Sequence, residues 1–437
     1  QNNNDSAQPN QEGAQSDKTV VTYWTADRHD QDFMQAVIDQ FNKENTDNIE
    51  VQMRVFSENY AQSVDLAFSS NQAPDILRTS PTVMKPFYEK GYLEPLDDYA
   101  SDELKEKFAS SMIENNNQFD GKIYSFPNYG YTKRLIYNVD LFEKAGIESP
   151  PKTLDELVEV AKRLTEAGKD QNAYGFAANF KNPVSALERS TFAIAQLSGI
   201  PGDGYDFATG EYDFSGYKPI LEAYRQMAQD GSMLPGVEAL DIDPLRAQFA
   251  EGNIGMYLSV SAEISVFENQ FPAKIRWAAA LPPTVDGNYE GAMDLGNAGS
   301  WLSLTSKSEN KEAAWKFIEY MYNDSVLTQY HEEGLGLSIV GSVLENADIP
   351  DVENVEGFLP TKYDALMPVP PVHSVQGRSY QDAFVAYMLT GGNLDEIIND
   401  LNSRYNAGLQ QAVKSGSVEL EIDPDFSYKD QQGMFVK

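Results

Sequence analysis

The chain has 437 residues, of which 67 are acidic and 33 are basic, so its formal net charge is −34. This length exceeds one ordinary compact core and predicts two substantial lobes, while the charge opposes attraction to nucleic acids and indicates a protein without a nucleic-acid partner. Cysteine is absent, which excludes disulfide bridges and thiolate metal sites.

The first eighteen residues, 1–18, are rich in Gln, Asn, Ser and Asp and nearly devoid of apolar side chains. Such a segment cannot bury enough apolar surface to offset the entropy lost on ordering, so we predict a disordered tail. No later run approaches the roughly 18 apolar residues that a membrane-spanning helix needs.

Strands and helices alternate after this tail. Residues 19–24 are β-branched and aromatic and predict a strand, and apolar residues at helical spacing over 33–41 predict a helix. Strict alternation over 49–55 predicts a second strand, followed by a helix over 60–68 and a strand over 74–77. This βαβαβ order predicts a parallel sheet covered by helices.

A second series of elements begins near Leu135. Thr153 and Glu156 match the capping box that starts a helix, and Gly168 is placed to end it. Ser306 and Glu309 repeat the capping signal ahead of another apolar helical pattern. A last helical pattern over 384–401 is interrupted by two glycines at 391–392. The buried face predicted for the helix after Thr153 consists of Leu154, Leu157, Val158, Ala161 and Leu164.

Several motifs stand in a fixed order along the chain. They are Val20-Val-Thr-Tyr-Trp24, Ala73-Pro-Asp-Ile76, Asp120-Gly-Lys-Ile-Tyr-Ser-Phe-Pro127, Arg134-Leu-Ile-Tyr-Asn138, Phe249-Ala-Glu-Gly-Asn-Ile-Gly-Met256 and Leu389-Thr-Gly-Gly392. Together they resemble the extracellular solute-binding proteins of sugar ABC importers, the family that includes the maltodextrin-binding proteins. The resemblance spans nearly everything after the first twenty residues, and no motif in it is a catalytic signature.

The resemblance implies a periplasmic-binding-protein-like α/β fold of two lobes, each a mainly parallel sheet flanked by helices, discontinuous in sequence and joined by a hinge. We expect lobe 1 in residues 19–129 and 297–342, and lobe 2 in residues 130–296 and 343–437, with crossings near 130, 296 and 342. The tail 1–18 then resembles the tether of a lipoprotein on the extracellular face of a bacterial membrane, its lipidated cysteine upstream of this chain.

Ligands of open α/β sheets bind at the carboxyl ends of strands, so the loops there supply the first candidates. Trp24, Asp27 and Arg28 follow the first strand, and the resemblance implies that Asp27 and Arg28 contact sugar hydroxyls. The alternative is a solvated turn over a buried Trp24. Arg78 and Thr79 follow the third strand and are further candidates.

Arginines stand at two positions where maltodextrin-binding relatives often carry an aromatic platform. They are Arg78 and Arg378. A guanidinium holds a carboxylate through two hydrogen bonds, so the exchange favours a uronate-containing ligand over a neutral maltodextrin. The alternative for each arginine is a surface ion pair.

The remaining candidates lie near the predicted hinge and in the second lobe. Tyrosine offers a sugar both an apolar ring and a hydroxyl, and the resemblance places a late strand entry and the loop near residue 260 along the cleft. The glycine and tryptophan usual in that loop are absent here. These candidates are Tyr129, Tyr131, Asn297, Ser259, Ser261, Glu263 and Trp301, the last as the stacking ring. The alternative for Trp301 is a core position, which is the more common one for a tryptophan in such a strand.

Catalytic chemistry has no support in the sequence. The three histidines, His29, His331 and His373, show no metal-ligand spacing, and no phosphate loop is present, so we predict no catalytic residue, metal or cofactor. A calcium loop at 203–206 is the alternative for metal binding.

The combined interpretation is a non-enzymatic, monomeric substrate-binding component of a carbohydrate ABC importer. Its expected partners are an oligosaccharide, neutral or uronate-containing, and the permease subunits. The alternatives are a polysaccharide-active enzyme that uses paired carboxylates and a surface sugar sensor or adhesin on the same fold.

Overall fold

The computed structural model describes residues 17–437, and residues 1–16 of the predicted tail lie outside that range. The described chain contains two four-stranded sheets and three short two-stranded ones. Its strands are β1 Thr19–Thr25, β2 Ile49–Val55, β3 Ile76–Arg78, β4 Gln118–Phe119, β5 Lys122–Ile123, β6 Lys133–Asn138, β7 Tyr174–Phe176, β8 Tyr205–Asp206, β9 Glu211–Tyr212, β10 Ile254–Val260, β11 Trp277–Ala280, β12 Met293–Asp294, β13 Leu302–Leu304 and β14 Asp364–Ala365.

The helices cover both faces of the larger sheets. Within residues 17–437, none of them combines the length and the apolar character that crossing a bilayer requires. They are α1 Gln31–Glu44, α2 Tyr60–Ser69, α3 Pro81–Glu89, α4 Asp102–Lys107, α5 Val139–Lys144, α6 Leu154–Ala167, α7 Pro183–Arg189, α8 Thr191–Leu197, α9 Lys218–Gln229, α10 Ile242–Glu251, α11 Glu263–Ser265, α12 Lys311–Met321, α13 Asp324–Glu332, α14 Gly341–Asn346, α15 Tyr380–Thr390 and α16 Leu394–Lys414.

The first sheet has the strand order β13-β3-β1-β2 and confirms the predicted βαβαβ opening. Strand β1 runs parallel to both β2 and β3, with Thr19 opposite Ile49 and Tyr23 opposite Ile76. Strand β13 arrives from late in the chain and pairs antiparallel with β3. Helix α12 packs its apolar face into the same core as α1. The first core is therefore built from two distant segments of the sequence.

The second sheet, of order β11-β6-β10-β7, is mixed rather than mainly parallel. Strand β10 is parallel to β7, but β6 is antiparallel to both of its neighbours, β10 and β11. The direction of β6 follows from its entry, because its first residue, Lys133, pairs with Val260 at the end of β10. The chain thus enters this sheet at the edge where β10 leaves it. The two-lobed fold class is confirmed, and only the strand directions of this sheet differ from the expectation.

The first predicted capping signal was confirmed. The Thr153 hydroxyl accepts a hydrogen bond from the Glu156 N–H, and α6 ends at Gly168 as predicted. On α6 the buried valine is Val160, whereas Val158 is only partly buried.

The second capping signal was wrong. Helix α12 begins at Lys311, and the Ser306 hydroxyl donates to the distant Gly91 carbonyl instead of capping the helix. The helical pattern predicted over 384–401 corresponds to two helices, α15 and α16. They are separated at Gly391 and Gly392, both of which have positive φ angles.

Three chain segments lie side by side near residues 130, 296 and 338, and we call them the hinge segments after the predicted hinge. Isolated bridges join Phe126 to Leu302, Tyr131 to Gly296 and Tyr129 to Ser338. Two glycines allow this close approach. A Cβ at Gly130 would lie 2.8 Å from the Ala298 Cβ, and a Cβ at Gly336 would lie 2.4 Å from the Tyr129 ring.

A buried ion pair fixes β6 to the start of β14. The Arg134 guanidinium binds both carboxylate oxygens of Asp364 at 2.9 and 2.8 Å, and both side chains are 1 % exposed. Arg134 also donates to the carbonyls of Gly357 and Leu359, and Asp364 accepts from the Thr361 N–H and hydroxyl. These bonds satisfy both charges inside the protein.

We expect Asp364→Ala to lower the free energy of unfolding by about 3–5 kcal/mol, because it leaves the Arg134 charge buried without a partner. Denaturant titration measures the change. The matched control is Glu251→Ala, which removes the exposed partner of Lys274 and should change the stability by about 1 kcal/mol or less. Equal effects of the two substitutions would contradict this account of the buried pair.

Candidate functional site

The candidate site consists of the residues at the carboxyl ends of strands in the two large sheets, together with the hinge segments. In the first sheet, the parallel strands β1 and β3 end at Thr25 and Arg78, and in the second sheet β10 ends at Val260. Open α/β sheets bind their ligands at this edge. The residues that follow these strands, together with the hinge residues around Tyr129 and Tyr131, therefore define the site.

Arg78 lies beneath the surface of this site and is 4 % exposed. Its Nε atom is 2.9 Å from an Asp27 oxygen and its Nη2 atom is 2.6 Å from an Asp30 oxygen, while Nη1 donates to the Tyr23 hydroxyl at 3.0 Å. The guanidinium carbon lies 5.3 Å from the centroid of the Trp301 ring. The donors on which the uronate hypothesis depended are thus engaged by the protein's own carboxylates.

Asp30 anchors this network from the start of α1. Burial alone would raise its pKa, but the Arg78 charge and its hydrogen bond, with a further bond from the Tyr330 hydroxyl, lower it below the usual value. Its second oxygen is buried without a hydrogen-bond partner. Asp30 is therefore held ionised behind the site.

Asp27 is the part of the network that reaches solvent. Its side chain is 33 % exposed, and one of its oxygens is held by Arg78. Its backbone N–H donates to the Thr25 hydroxyl at 3.0 Å, which fixes the loop after β1. The carboxylate is consequently oriented before any ligand arrives and can accept hydrogen bonds from ligand hydroxyls.

The hinge tyrosines form one side of the site. Tyr129 is 4 % exposed and packs on Tyr330 and Tyr131, with ring centroids 5.4 and 5.9 Å away. Tyr131 is partly exposed and presents the reachable ring of the pair. Asn297, which is exposed, donates weakly to the Tyr129 hydroxyl at 3.4 Å. The structure brings these three predicted residues together.

The other first-lobe candidates divide into core and surface positions. Trp301 is 1 % exposed within the first core, so its ring is not available for stacking in this conformation. Thr79 is buried, with its hydroxyl 3.0 Å from that of Ser303. Trp24 is partly buried against Phe56, whereas Arg28 is exposed beside Asp27.

The second-lobe candidates are tied into a charged network at the end of β10. Glu263 is completely buried and accepts hydrogen bonds from Arg246, Arg189 and the Tyr257 hydroxyl. Sequence reasoning missed both arginines, because nothing in their local sequence marks them.

The two serines of this loop are held by the same region of the second lobe. Ser259 accepts from Arg189 at 2.7 Å, and the Ser261 hydroxyl accepts from the Thr132 N–H at 3.2 Å. Arg189 remains 22 % exposed, so it is the member of the network that a ligand can reach.

The structure does not bring Arg378 into this group. Arg378 is exposed, directly before the Ser379 cap of α15, and within residues 17–437 its side chain forms no ion pair or hydrogen bond. The structure therefore places Arg78 in the candidate site and Arg378 apart from its ion-pair network.

Two acidic groups have side chains of the type that binds cations. Asp203 and Asp206 accept N–H groups of their own turn, from Tyr205 and Ala208, and burial raises the pKa of Asp203 to about 6. A second group joins three carboxylates whose oxygens lie within 4.8 Å of one another, and two of these residues are exposed. Neither group is assigned a metal. The members of the second group are Glu114, Asp120 and Glu421.

We expect Arg78→Ala to destabilise the protein by about 3–5 kcal/mol, because the buried Asp30 charge loses its cation. Arg378→Ala should leave the stability unchanged, since its side chain has no partner within the described chain. Thermal unfolding of the two variants checks this difference. A stable Arg78→Ala variant that selectively lost uronate binding would restore the uronate hypothesis.

Comparisons with known proteins identify relatives of this chain. A maltotriose-binding protein of Pyrococcus abyssi is 27% identical over 345 residues, which cover 77% of this chain and 68% of that protein. A putative binding protein of Brucella abortus is 28% identical over 243 residues, so the match spans about half of each protein, 54% of this chain and 55% of the relative.

Solved structures show the same fold. The apo form of RafE from Streptococcus pneumoniae has a TM-score of 0.69 at 17% identity, covering 90% of this chain and 99% of RafE. The sugar-binding protein MalE from Xanthomonas citri has a TM-score of 0.69 at 21% identity, covering 92% of this chain and all of MalE. Residues 25–327 match the family model, and the chain belongs to the bacterial extracellular solute-binding proteins.

Proposed function

We propose that this protein is the substrate-binding component of a carbohydrate ABC importer and captures a neutral oligosaccharide between its lobes. The observation that carries the proposal is the solvent-facing Asp27 carboxylate, fixed by Arg78 at the carboxyl edge of the first sheet and close to the hinge tyrosines. Sugar sites combine oriented polar groups with aromatic rings. Related proteins of the family support the class of ligand, since one is a maltotriose-binding protein.

The charge balance of the site favours a neutral ligand. Arg78 is the cation nearest to the Asp27 carboxylate, and it is matched by two carboxylates, Asp27 and Asp30. A uronate would have to displace one of these from a buried guanidinium, at the cost of leaving an acidic side chain unpaired. The hydroxyls of a neutral sugar need only the free acceptor positions of Asp27.

The proposed mechanism is closure about the three hinge segments. Contacts from both lobes form together only when the lobes approach, so the ligand shifts the population toward a closed form. We keep the lobe boundaries at 129, 296 and 342 as part of this proposal. The closed monomer then delivers its sugar to the permease, from a lipid-tethered position outside the cell membrane.

We expect calorimetry with maltotriose, raffinose, xylotriose and trigalacturonate to show binding of at least one neutral trisaccharide. Asp27→Asn should weaken that binding by about 10- to 100-fold, because a hydrogen bond to a charged acceptor is lost. The control is Asp39→Asn on the exposed face of α1. Tight binding of trigalacturonate alone would contradict the proposal, and chromatography that revealed cleavage of the bound sugar would favour the enzyme alternative.

A further inference from the structure

A buried histidine accepts a backbone hydrogen bond from one of the hinge segments. His331 lies in the last turn of α13 and is 3 % exposed, and its Nδ1 atom accepts from the Ser338 N–H at 2.8 Å. Ser338 is completely buried, so water does not replace this bond. An imidazole nitrogen accepts a hydrogen bond only when it carries no proton. The contact therefore requires neutral His331 with its proton on Nε2.

Ser338 is the residue of its hinge segment that is bridged to Tyr129. The next residue, Ile339, donates its N–H to the Asn128 carbonyl at 3.1 Å, which joins the same two hinge segments a second time. The Ser338 N–H is directed to His331 instead of to the segment that carries Tyr129. His331 thus binds the hinge segment near residue 338 to α13, while the same segment supports Tyr129.

The last turn of α13 contacts Tyr129 by a second route. Tyr330, the residue before His331, packs its ring on that of Tyr129 with the centroids 5.4 Å apart, and its hydroxyl donates to Asp30 at 2.7 Å. Tyr129 is therefore held from α13 both through the Tyr330 ring and through the Ser338 backbone. Loss of the bond to His331 removes one of these two supports from a residue of the candidate site.

A proton on Nδ1 turns this acceptor into a donor. Two N–H groups then face each other, and the buried Ser338 N–H loses its partner. Burial lowers the pKa of His331, an effect that Glu332 opposes. Because the folded protein takes up this proton less readily than the unfolded chain, the stability due to neutral His331 is fully present above the ordinary pKa of 6.5 and decreases as the pH falls toward the lowered pKa.

Charged groups on the elements around His331 leave burial as the main influence on its titration. The hinge residues 128–131 and 336–340 contain tyrosines but no acidic or basic side chain. Within the described part of the chain, Glu332 is the charged group that acts on the pKa of His331. The other charged groups of these elements are Glu333 and Asp324 of α13 with Lys107, Glu319 of α12, Glu345 of α14, Asp348 after α14 and, beyond Tyr330, His29 with the Asp30–Arg78 pair.

We propose that His331 is an acid-sensitive anchor of the hinge: protonation of its ring releases Ser338 from α13, and the weaker support of Tyr129 lowers the affinity for the ligand. The effect on the ligand rests on the proposed function, whereas the release of Ser338 does not. The anchor adds to ligand capture a dependence on the pH of the medium.

Hydrogen exchange of the Ser338 amide, corrected for the intrinsic exchange rate, tests the release at about pH 7.5 and about pH 5. We expect the protection of this amide in the wild-type protein to be about 10-fold lower at the acid pH, because its acceptor is lost. His331→Asn keeps a side-chain carbonyl that accepts the same bond and does not titrate, so its protection should be equal at both pH values. His331→Phe has no acceptor and should show the lower protection at both. The control is His373→Asn in the second lobe, where the imidazole contacts Tyr212, and it should respond like the wild type.

Calorimetry of the same proteins measures the effect on the ligand, with the tightest-binding of maltotriose, raffinose and xylotriose as the probe. From about pH 7.5 to about pH 5, we expect the affinity of the wild type to fall by about 3- to 10-fold more than that of His331→Asn.

Wild-type protection of Ser338 that stayed constant with pH, or that changed equally in His331→Asn, would overturn the anchor. Equal losses of sugar affinity in the two proteins would overturn its effect on the ligand. A wild-type protein that bound none of the sugars would overturn the proposed function, and hydrogen exchange would still decide whether His331 releases Ser338.

Discussion

Burial of the Arg78 guanidinium is the interaction on which the candidate site depends. A cation that is 4 % exposed must be matched by carboxylates and hydroxyls, and Asp27, Asp30 and Tyr23 supply them. This requirement joins the end of β3, the loop after β1 and the start of α1. The same pairing holds the Asp27 carboxylate at the surface. The buried Arg78 charge therefore determines which acidic group the site presents to solvent.

The hinge imposes the second constraint. Three segments meet at isolated bridges around Tyr129, Tyr131 and Gly296, and glycines at 130 and 336 allow backbone and rings to approach closely. Packed interfaces of this kind change between discrete arrangements more readily than they deform continuously. The same segments carry residues toward both lobes, with Tyr129 on one side and Lys133 on the other. In the proposed mechanism, these few residues couple ligand contacts to the motion of the lobes.

Much of the fold could be predicted from the local sequence pattern, whereas much of the candidate site could not. Alternation over 49–55 and the capping by Thr153 describe single elements, so the sequence was sufficient to find β2 and the start of α6. The loops after β1, β3 and β10 were also found, because strand ends can be read from the sequence. The direction of β6 could not be predicted, since it depends on where the chain crosses between lobes.

The partners of individual side chains could not be predicted from the local sequence pattern either, because they too depend on the tertiary fold. Arg78 meets Asp30 and Tyr23, and Glu263 meets Arg189, through the tertiary fold alone. The sequence placed Arg78 correctly after a strand, but it could not show that two aspartates already occupy its donors.

Small-angle X-ray scattering with and without a bound trisaccharide tests the central claim, capture between closing lobes, most directly. The trisaccharide is the member of the neutral set with the highest measured affinity, added at saturation. The account predicts a smaller radius of gyration and a shorter maximum dimension with the sugar present. At the same sugar concentration, both quantities should decrease less in Asp27→Asn. A radius of gyration that stayed constant at full saturation would contradict it.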